Sequence, residues 1–140
     1  MSYELARLNT DARILMIDKG AVLEKRQCPI KAGAKNCLKC SPCHIMNGYG
    51  GAGTLSDGKY NITTQFGGDL HNYVGVDKAM ELMEYVDEVL CSMGGADARL
   101  YSTASSELKT IALRNNLHLL EAKVRHLGTD RNVRILGKIF

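Results

Sequence analysis

The sequence has no long hydrophobic run and no strong excess of one charge. Its longest apolar stretches, such as residues 14–17, are far shorter than the roughly 20 residues that a membrane-spanning helix needs. Eighteen lysines and arginines against fifteen aspartates and glutamates leave a net charge of only +3, spread along the chain. This composition predicts neither a membrane partner nor a nucleic-acid partner.

The amino terminus also lacks an export signal. Residues 1–7 contain neither an apolar core nor a small-residue cleavage site. We therefore expect a cytoplasmic protein, in which clustered cysteines indicate metal binding or redox chemistry before disulfides. A length of 140 residues, with 45% hydrophobic and 24% charged residues, is typical of one globular domain.

Regular secondary structure is predicted on both sides of a long irregular segment. Residues 2–8 have a helical pattern, and residues 13–18, with their continuous apolar run at 14–17, predict a strand buried in a parallel sheet. Residues 19–68 are irregular, and connections of this length are typically functional. Three helices and a strand are predicted after that segment, at residues 76–93, 105–120 and 129–139 and at residues 122–127.

Four of the five cysteines lie close together, as Cys28, Cys37, Cys40 and Cys43. The two-residue spacing of the last three lets their thiolates converge on one centre, and Cys28 is available as a fourth ligand. We predict that these four bind a metal, with zinc and an iron–sulfur cluster both open. The alternative is free thiols or a reversible dithiol with a lowered pKa beside lysines.

A glycine-rich loop covers residues 48–59. Glycines at this density let the backbone approach a ligand closely and turn amide groups toward phosphate or the edge of a flavin ring. Gly53, Gly58 and Lys59 imitate the spacing of a P-loop, but Tyr60 stands where that motif needs serine or threonine. A phosphate-hydrolysing P-loop is therefore not expected, and the alternative is a flexible loop without a ligand.

Asp18 directly follows the predicted strand at residues 13–18. An acid at this point of a dinucleotide-binding fold hydrogen-bonds the ribose hydroxyls of the adenosine half. The alternative is a solvated carboxylate at the end of a strand, since no G-x-G-x-x-G motif precedes it.

Four segments carry a resemblance to a known family, at residues 6–20, 28–43, 50–59 and 125–129. Taken together, they resemble the FAD-dependent dehydrogenases of bacteria and archaea, relatives of flavoproteins with two dinucleotide-binding domains. The resemblance covers nearly the whole chain.

The resemblance implies an α/β fold, a partial Rossmann-like FAD/NAD(P)-binding domain with a cysteine- and glycine-rich insertion and following helices. One truncated domain would span residues 1–140, with its cysteine-rich insertion at 28–43, its glycine-rich loop at 48–59 and a mainly helical part at 76–140. Family members open with a strand and a G-x-G-x-x-G turn that this chain lacks. We therefore expect an N-terminal fragment that binds FAD weakly or not at all, with the remainder of the protein as a partner.

The resemblance also implies an FAD-dependent oxidoreductase acting on an unknown small-molecule substrate, with the flavin performing the electron transfer. Asp18 would hold the FAD ribose, Lys19 would continue past it within the cofactor-binding segment, and Lys59 would stabilise a reduced, anionic flavin. The residues expected along the pyrophosphate or the isoalloxazine ring are Gly50, Gly51, Ala52, Gly53 and Thr54. No residue is assigned as a catalytic acid or base. The alternative function is a small metal-binding interaction module, organised by the cysteines, whose glycine loop docks a partner.

Overall fold

A computed structural model describes residues 2–8 and 11–140, and it combines helices with a small antiparallel sheet. The prediction of an α/β protein is thus confirmed at the level of mixed helices and strands. The helices and strands, in chain order, are α1 (Ser2–Arg7), β1 (Lys59–Ile62), α2 (Leu70–Val74), α3 (Val76–Leu90), β2 (Leu100–Ser102), α4 (Ser106–Arg114), β3 (Lys123–His126) and α5 (Thr129–Ile139).

The chain divides into two compact units. Unit 1 comprises Met1–Asp57 and Thr129–Phe140, and unit 2 comprises Gly58–Gly128. None of the helices in the described part of the chain has the length and apolar composition needed to cross a membrane.

Unit 2 contains the sheet, in which β3 is the central strand between β1 and β2. Both pairings are antiparallel, with Lys59 opposite His126 and Ser102 opposite Lys123. Helix α3 contacts β1 and contributes buried Ala79 and Leu90 to the core. The other buried apolar side chains of this unit are Ile62, Ala98, Ala122 and Leu127.

A buried ion pair joins the central strand of unit 2 to helix α3. The Nε and Nη2 atoms of Arg125 donate to the two carboxylate oxygens of Asp87 at 2.5 and 2.8 Å, and its Nη1 donates to the Ala98 carbonyl at 2.6 Å. The hydrogen bonds that Arg125 donates to Asp87 raise the pKa of Arg125, so the guanidinium stays charged. Both side chains are only about a tenth exposed, so their pairing is needed to offset the loss of hydration.

Unit 1 has little regular structure besides α1 and α5. Helix α5 packs against a single 3-10 turn, Ala52–Leu55, and buries Ile135 and Asn132. The rings of Tyr49 and Phe140 lie 5.7 Å apart, within the range of aromatic pairing.

The predicted strand at residues 13–18 is wrong. These residues form no regular secondary structure, and the side chains of Leu15 and Ile17 are each 84% exposed. A strand needs a neighbour for its backbone hydrogen bonds, and none of the three strands in the described residues pairs with this segment. This apolar run, which has no neighbouring strand, therefore has no regular structure and is exposed.

The other predicted helices and the predicted strand are present, whereas the segment at residues 19–68, predicted as irregular, contains strand β1. The strand at 122–127 and the helices at 76–93 and 129–139 match β3, α3 and α5. The helix expected to reach residue 120 ends at Arg114. Asn116 follows in a left-handed conformation (φ 56°), which ends a helix because it turns the chain away from the helical path.

Candidate functional site

Arg26 organises the glycine-rich loop of unit 1. Its side chain is nearly buried, with 4% of the residue exposed. The guanidinium donates to four backbone carbonyls, those of His44 (Nε, 2.9 Å), Ile45 (Nη2, 2.8 Å), Tyr49 (Nη1, 2.7 Å) and Gly51 (Nη1, 2.9 Å). A planar guanidinium carries five N–H donors in a fixed arrangement, so one side chain can hold several carbonyls at once. Burial lowers the pKa of Arg26, and the charges of Asp18 and Cys43 oppose that effect.

Asn132 is the second anchor of the loop. It is fully buried on helix α5, and its Nδ2 donates to the carbonyls of Gly53 and Thr54, each at 3.0 Å. Thr54 is itself fully buried, and its Oγ1 donates to the Tyr49 carbonyl at 3.3 Å. The hydroxyl of Thr54 is thus used inside unit 1, although Thr54 was predicted among the cofactor-binding residues.

Two glycines of the loop are required by its geometry. Gly48 has a φ of 120°, and a Cβ there would clash with the Cδ of Arg26. Gly50 has a φ of 84°, and a Cβ there would clash with the Oγ1 of Thr54. Side chains at either position would push the loop off its two anchors.

Asp18 and Lys19 lie in the same unit as the loop, and both are exposed. The Oδ1 of Asp18 accepts a hydrogen bond from the Gly20 N–H at 2.6 Å. Gly20 packs so closely on the backbone of Asn47 and Gly48 that a Cβ there would clash with it. The structure therefore brings the Asp18 turn against the start of the glycine-rich loop, as a shared binding site would require.

Lys59 lies in unit 2, at the start of β1. It lines a groove of about 330 Å³ together with residues such as Asn61, Phe66, His71 and Met83. Because Lys59 and the loop at residues 50–54 belong to different units, its predicted role beside the flavin ring stays a prediction.

The four clustered cysteines are free thiols. Cys37 is exposed, and Cys28, Cys40 and Cys43 are half-buried. Across residues 2–8 and 11–140, no group of three or more His, Cys, Asp or Glu side chains lies close enough to share a metal ion. Thiolates are the ligands that zinc and iron–sulfur clusters take, but their positions here do not form such a set. Metal binding by the four cysteines stays a prediction.

Cys43 differs from the other cysteines in its surroundings. Hydrogen bonds from the backbone N–H groups of Met46 and Ile45 lower its pKa, and the positive charge of Arg26 adds to that effect. Cys91 shows the opposite effect: it lies in unit 2, and burial and the charge of Asp87 raise its pKa. A thiolate therefore forms more readily at Cys43 than at Cys91.

Sequence reasoning missed the two anchors of the site. Arg26 stands in an irregular segment, and Asn132 lies inside a predicted helix, so neither belongs to a recognisable motif. Their partners are backbone carbonyls, which carry no signature in the sequence. The only indication available is the position of Arg26 just before the cysteine and glycine segment that it holds.

No family model, no curated protein and no solved structure matches this chain. The resemblance to the FAD-dependent dehydrogenases therefore stays a prediction, carried by the residues that suggested it.

Proposed function

We propose that this chain is part of an FAD-dependent oxidoreductase, and that residues 50–53 bind the phosphates or the ring edge of FAD. The observation that carries the proposal is the orientation of this loop. Its carbonyl oxygens are turned toward Arg26 and Asn132, and Gly51, Ala52 and Gly53 lie at the surface.

The inward carbonyls determine where the amide groups point. In a planar trans peptide, the N–H of one residue points opposite to the carbonyl of the residue before it. Since the carbonyls of Tyr49 and Gly51 face Arg26, the N–H groups of Gly50 and Ala52 face away from it. Neither N–H donates to a backbone carbonyl within the described residues. Phosphate oxygens and flavin ring atoms can accept hydrogen bonds from amides that lack a backbone acceptor.

The charge beneath the loop favours an anionic ligand. Arg26 makes its hydrogen bonds to neutral carbonyls, so these contacts orient the guanidinium without cancelling its charge. Gly51 and Gly53 have no side chains that would keep a phosphate away from the backbone. The loop thus combines outward donors, a positive charge and close access.

In the same proposal, Asp18 takes the ribose role. A carboxylate has about four acceptor sites, and the Gly20 N–H uses one of them. Ribose hydroxyls can therefore still donate to Asp18. The partial Rossmann-like FAD/NAD(P)-binding domain that the resemblance implies belongs to the proposal as well.

The test is a titration of the isotopically labelled chain, followed by the amide resonances of Gly50 to Gly53. We expect these resonances to shift with FAD. A shift with ADP and not with riboflavin, which has no phosphate, would assign the loop to the phosphates, and a shift with riboflavin alone would assign it to the ring edge. Weak binding in the millimolar range, roughly 4 kcal/mol, is measurable in this way. Unmoved resonances at millimolar FAD, or equal shifts with riboflavin, would contradict phosphate binding by the loop.

A further inference from the structure

We propose that the groove beside strand β1 binds a small alkyl carboxylate. This inference does not depend on flavin binding, because the groove lies wholly in unit 2 and the proposed flavin-binding loop lies in unit 1. The volume of the groove, about 330 Å³, is within the range of small-molecule pockets. The proposal gives Lys59 a role other than the one predicted for it beside the flavin ring.

The groove lies along an open edge of the sheet. Strand β1 pairs with β3 on one side, and no strand within the described residues pairs with its other side. The lining side chains come from β1, from residues 63–68 and from helices α2 and α3, and they include Lys59, Asn61, Thr64, Phe66, His71 and Met83. Asn61 and Phe66 are exposed, so a ligand can enter from solvent.

The polar side chains of the groove suit an anionic group. Among the described residues that line it, Lys59 carries a positive charge and none is acidic. His71 and Asn61 also line it, and an imidazole and a side-chain amide both supply N–H donors. A carboxylate accepts such hydrogen bonds, and those from an ammonium group are among the stronger ones. The charge and the donors of the groove therefore favour a carboxylate over a neutral or cationic group.

An apolar cavity continues from the groove along helix α3. It has a volume of about 200 Å³ and shares residues such as Leu70 and Met83 with the groove. Its other apolar lining residues are aliphatic, namely Ile62, Leu82, Val86 and Leu90. Leu70 and Val86 are 43% and 48% exposed, so an alkyl chain placed here would remove apolar surface from water.

Asp87 also lines the apolar cavity, but its charge is already compensated. Both of its carboxylate oxygens accept hydrogen bonds from Arg125, at 2.5 and 2.8 Å. The charge of Lys59 at the groove and the aliphatic walls of the cavity together set the orientation of the ligand. We expect its carboxylate at Lys59 and its chain along α3.

The test is a titration of the isotopically labelled chain with octanoate, followed by the amide resonances of Lys59 and His71 and the methyl resonance of Met83. We expect saturable shifts of all three at millimolar octanoate. Acetate has the same head group without the chain, and octylamine has the chain with the opposite charge, so each should shift them much less. Equal shifts with octylamine would contradict recognition of an anion, and equal shifts with acetate would contradict recognition of the chain.

Four variants separate the two ends of the site. Lys59→Met should weaken octanoate binding about fivefold, the size expected for an exposed ion pair, and Lys59→Arg should bind like the unaltered chain. Val86→Gln removes apolar surface beside the alkyl chain and should weaken binding about threefold. Lys78→Met, at an exposed position of α3 outside the groove, is the matched control and should not change binding.

FAD, added to a separate sample, distinguishes this proposal from the flavin proposal. We expect octanoate to leave the amide resonances of residues 50–53 unchanged and FAD to leave those of Lys59 and His71 unchanged. If FAD shifts the groove residues and octanoate does not, the groove belongs to the cofactor and the carboxylate proposal is overturned. Unmoved groove resonances at millimolar octanoate, or shifts spread evenly over unit 2, would overturn it as well, whatever FAD does at the loop. Because the unaltered chain is titrated with every ligand, a variant that fails to fold does not prevent the test.

Discussion

The two units of this protein are stabilised in different ways. Unit 2 has a three-stranded sheet, a helix packed on it and an apolar core, with one buried ion pair between Arg125 and Asp87. In unit 1, Arg26 and Asn132 hold a long irregular segment by hydrogen bonds to its backbone carbonyls. The comparison shows that a loop without strands can be fixed by a few buried polar side chains. From this difference we predict that, in unit 1, substitution of those few side chains causes most of the loss in the free energy of unfolding. In unit 2, the loss should be spread over more side chains.

The largest effect is expected when Arg26 is replaced by methionine. Four carbonyls would lose a charged donor in a nearly buried site, which should lower the free energy of unfolding of unit 1 by about 4 kcal/mol. Amide hydrogen exchange across residues 44–51 measures the change. Arg114→Met, at an exposed position of α4, is the matched control and should leave exchange unchanged. Equal exchange in both variants would show that Arg26 does not hold the loop.

A smaller effect is expected for Arg125→Met in unit 2. The substitution leaves the Asp87 carboxylate buried without its partner. It should lower the free energy of unfolding, measured with urea, by about 3 kcal/mol. The double variant Arg125→Met, Asp87→Leu removes both charges and should recover part of that loss. If the double variant loses as much as the sum of the two single variants, the ion pair is not a coupled element of this core.

Asn132→Ala should lower the free energy of unfolding of unit 1 by about 2 kcal/mol, because two loop carbonyls lose their donor. The loss should appear as faster exchange in the loop at residues 50–54 and not in unit 2. Asn72→Ala, at an exposed position of α2, serves as the control. Unchanged exchange at residues 50–54 in the Asn132 variant would show that Asn132 does not hold the loop. The contrast between the two units would then rest on Arg26 alone.

The smallest expected effect is a difference in thiol reactivity between Cys43 and Cys91, and it does not involve a change in stability. The pKa of Cys43 is lowered by backbone N–H groups and that of Cys91 is raised by burial. Since only the thiolate reacts, iodoacetamide should label Cys43 at a lower pH than Cys91. Peptide mapping across a pH series measures both rates in one sample. Coinciding pH profiles would contradict the different surroundings of the two cysteines.

The local elements of this fold were predictable, and the long-range ones were not. Helix α3 follows from its apolar periodicity, helix α5 was predicted from the Thr129 and Asp130 side chains at its start, and Ser105 caps α4 by accepting the Leu108 N–H at 3.3 Å. The strand at residues 13–18 was wrong because a strand depends on a partner that the apolar run itself does not supply. The end of α4 was misplaced because the left-handed Asn116 was not recognised as a stop.

The candidate site was predictable only in its outer part. Glycine density indicated a loop with an exposed backbone, and Gly51, Ala52 and Gly53 do lie at the surface. The buried anchors were missed because Arg26 and Asn132 bind carbonyls that are distant in the sequence. Thr54 stays among the predicted cofactor-binding residues, and its burial could not be read from a glycine-rich context.

The most direct test of this account is an FAD titration of the unaltered chain beside Arg26→Met, followed by the amide resonances of Gly50 and Ala52. We predict that FAD shifts both resonances in the unaltered chain and that the shifts are lost in the variant, while residues of unit 2 give unchanged spectra. Shifts of equal size in both proteins would contradict the claim that Arg26 prepares this loop for the cofactor.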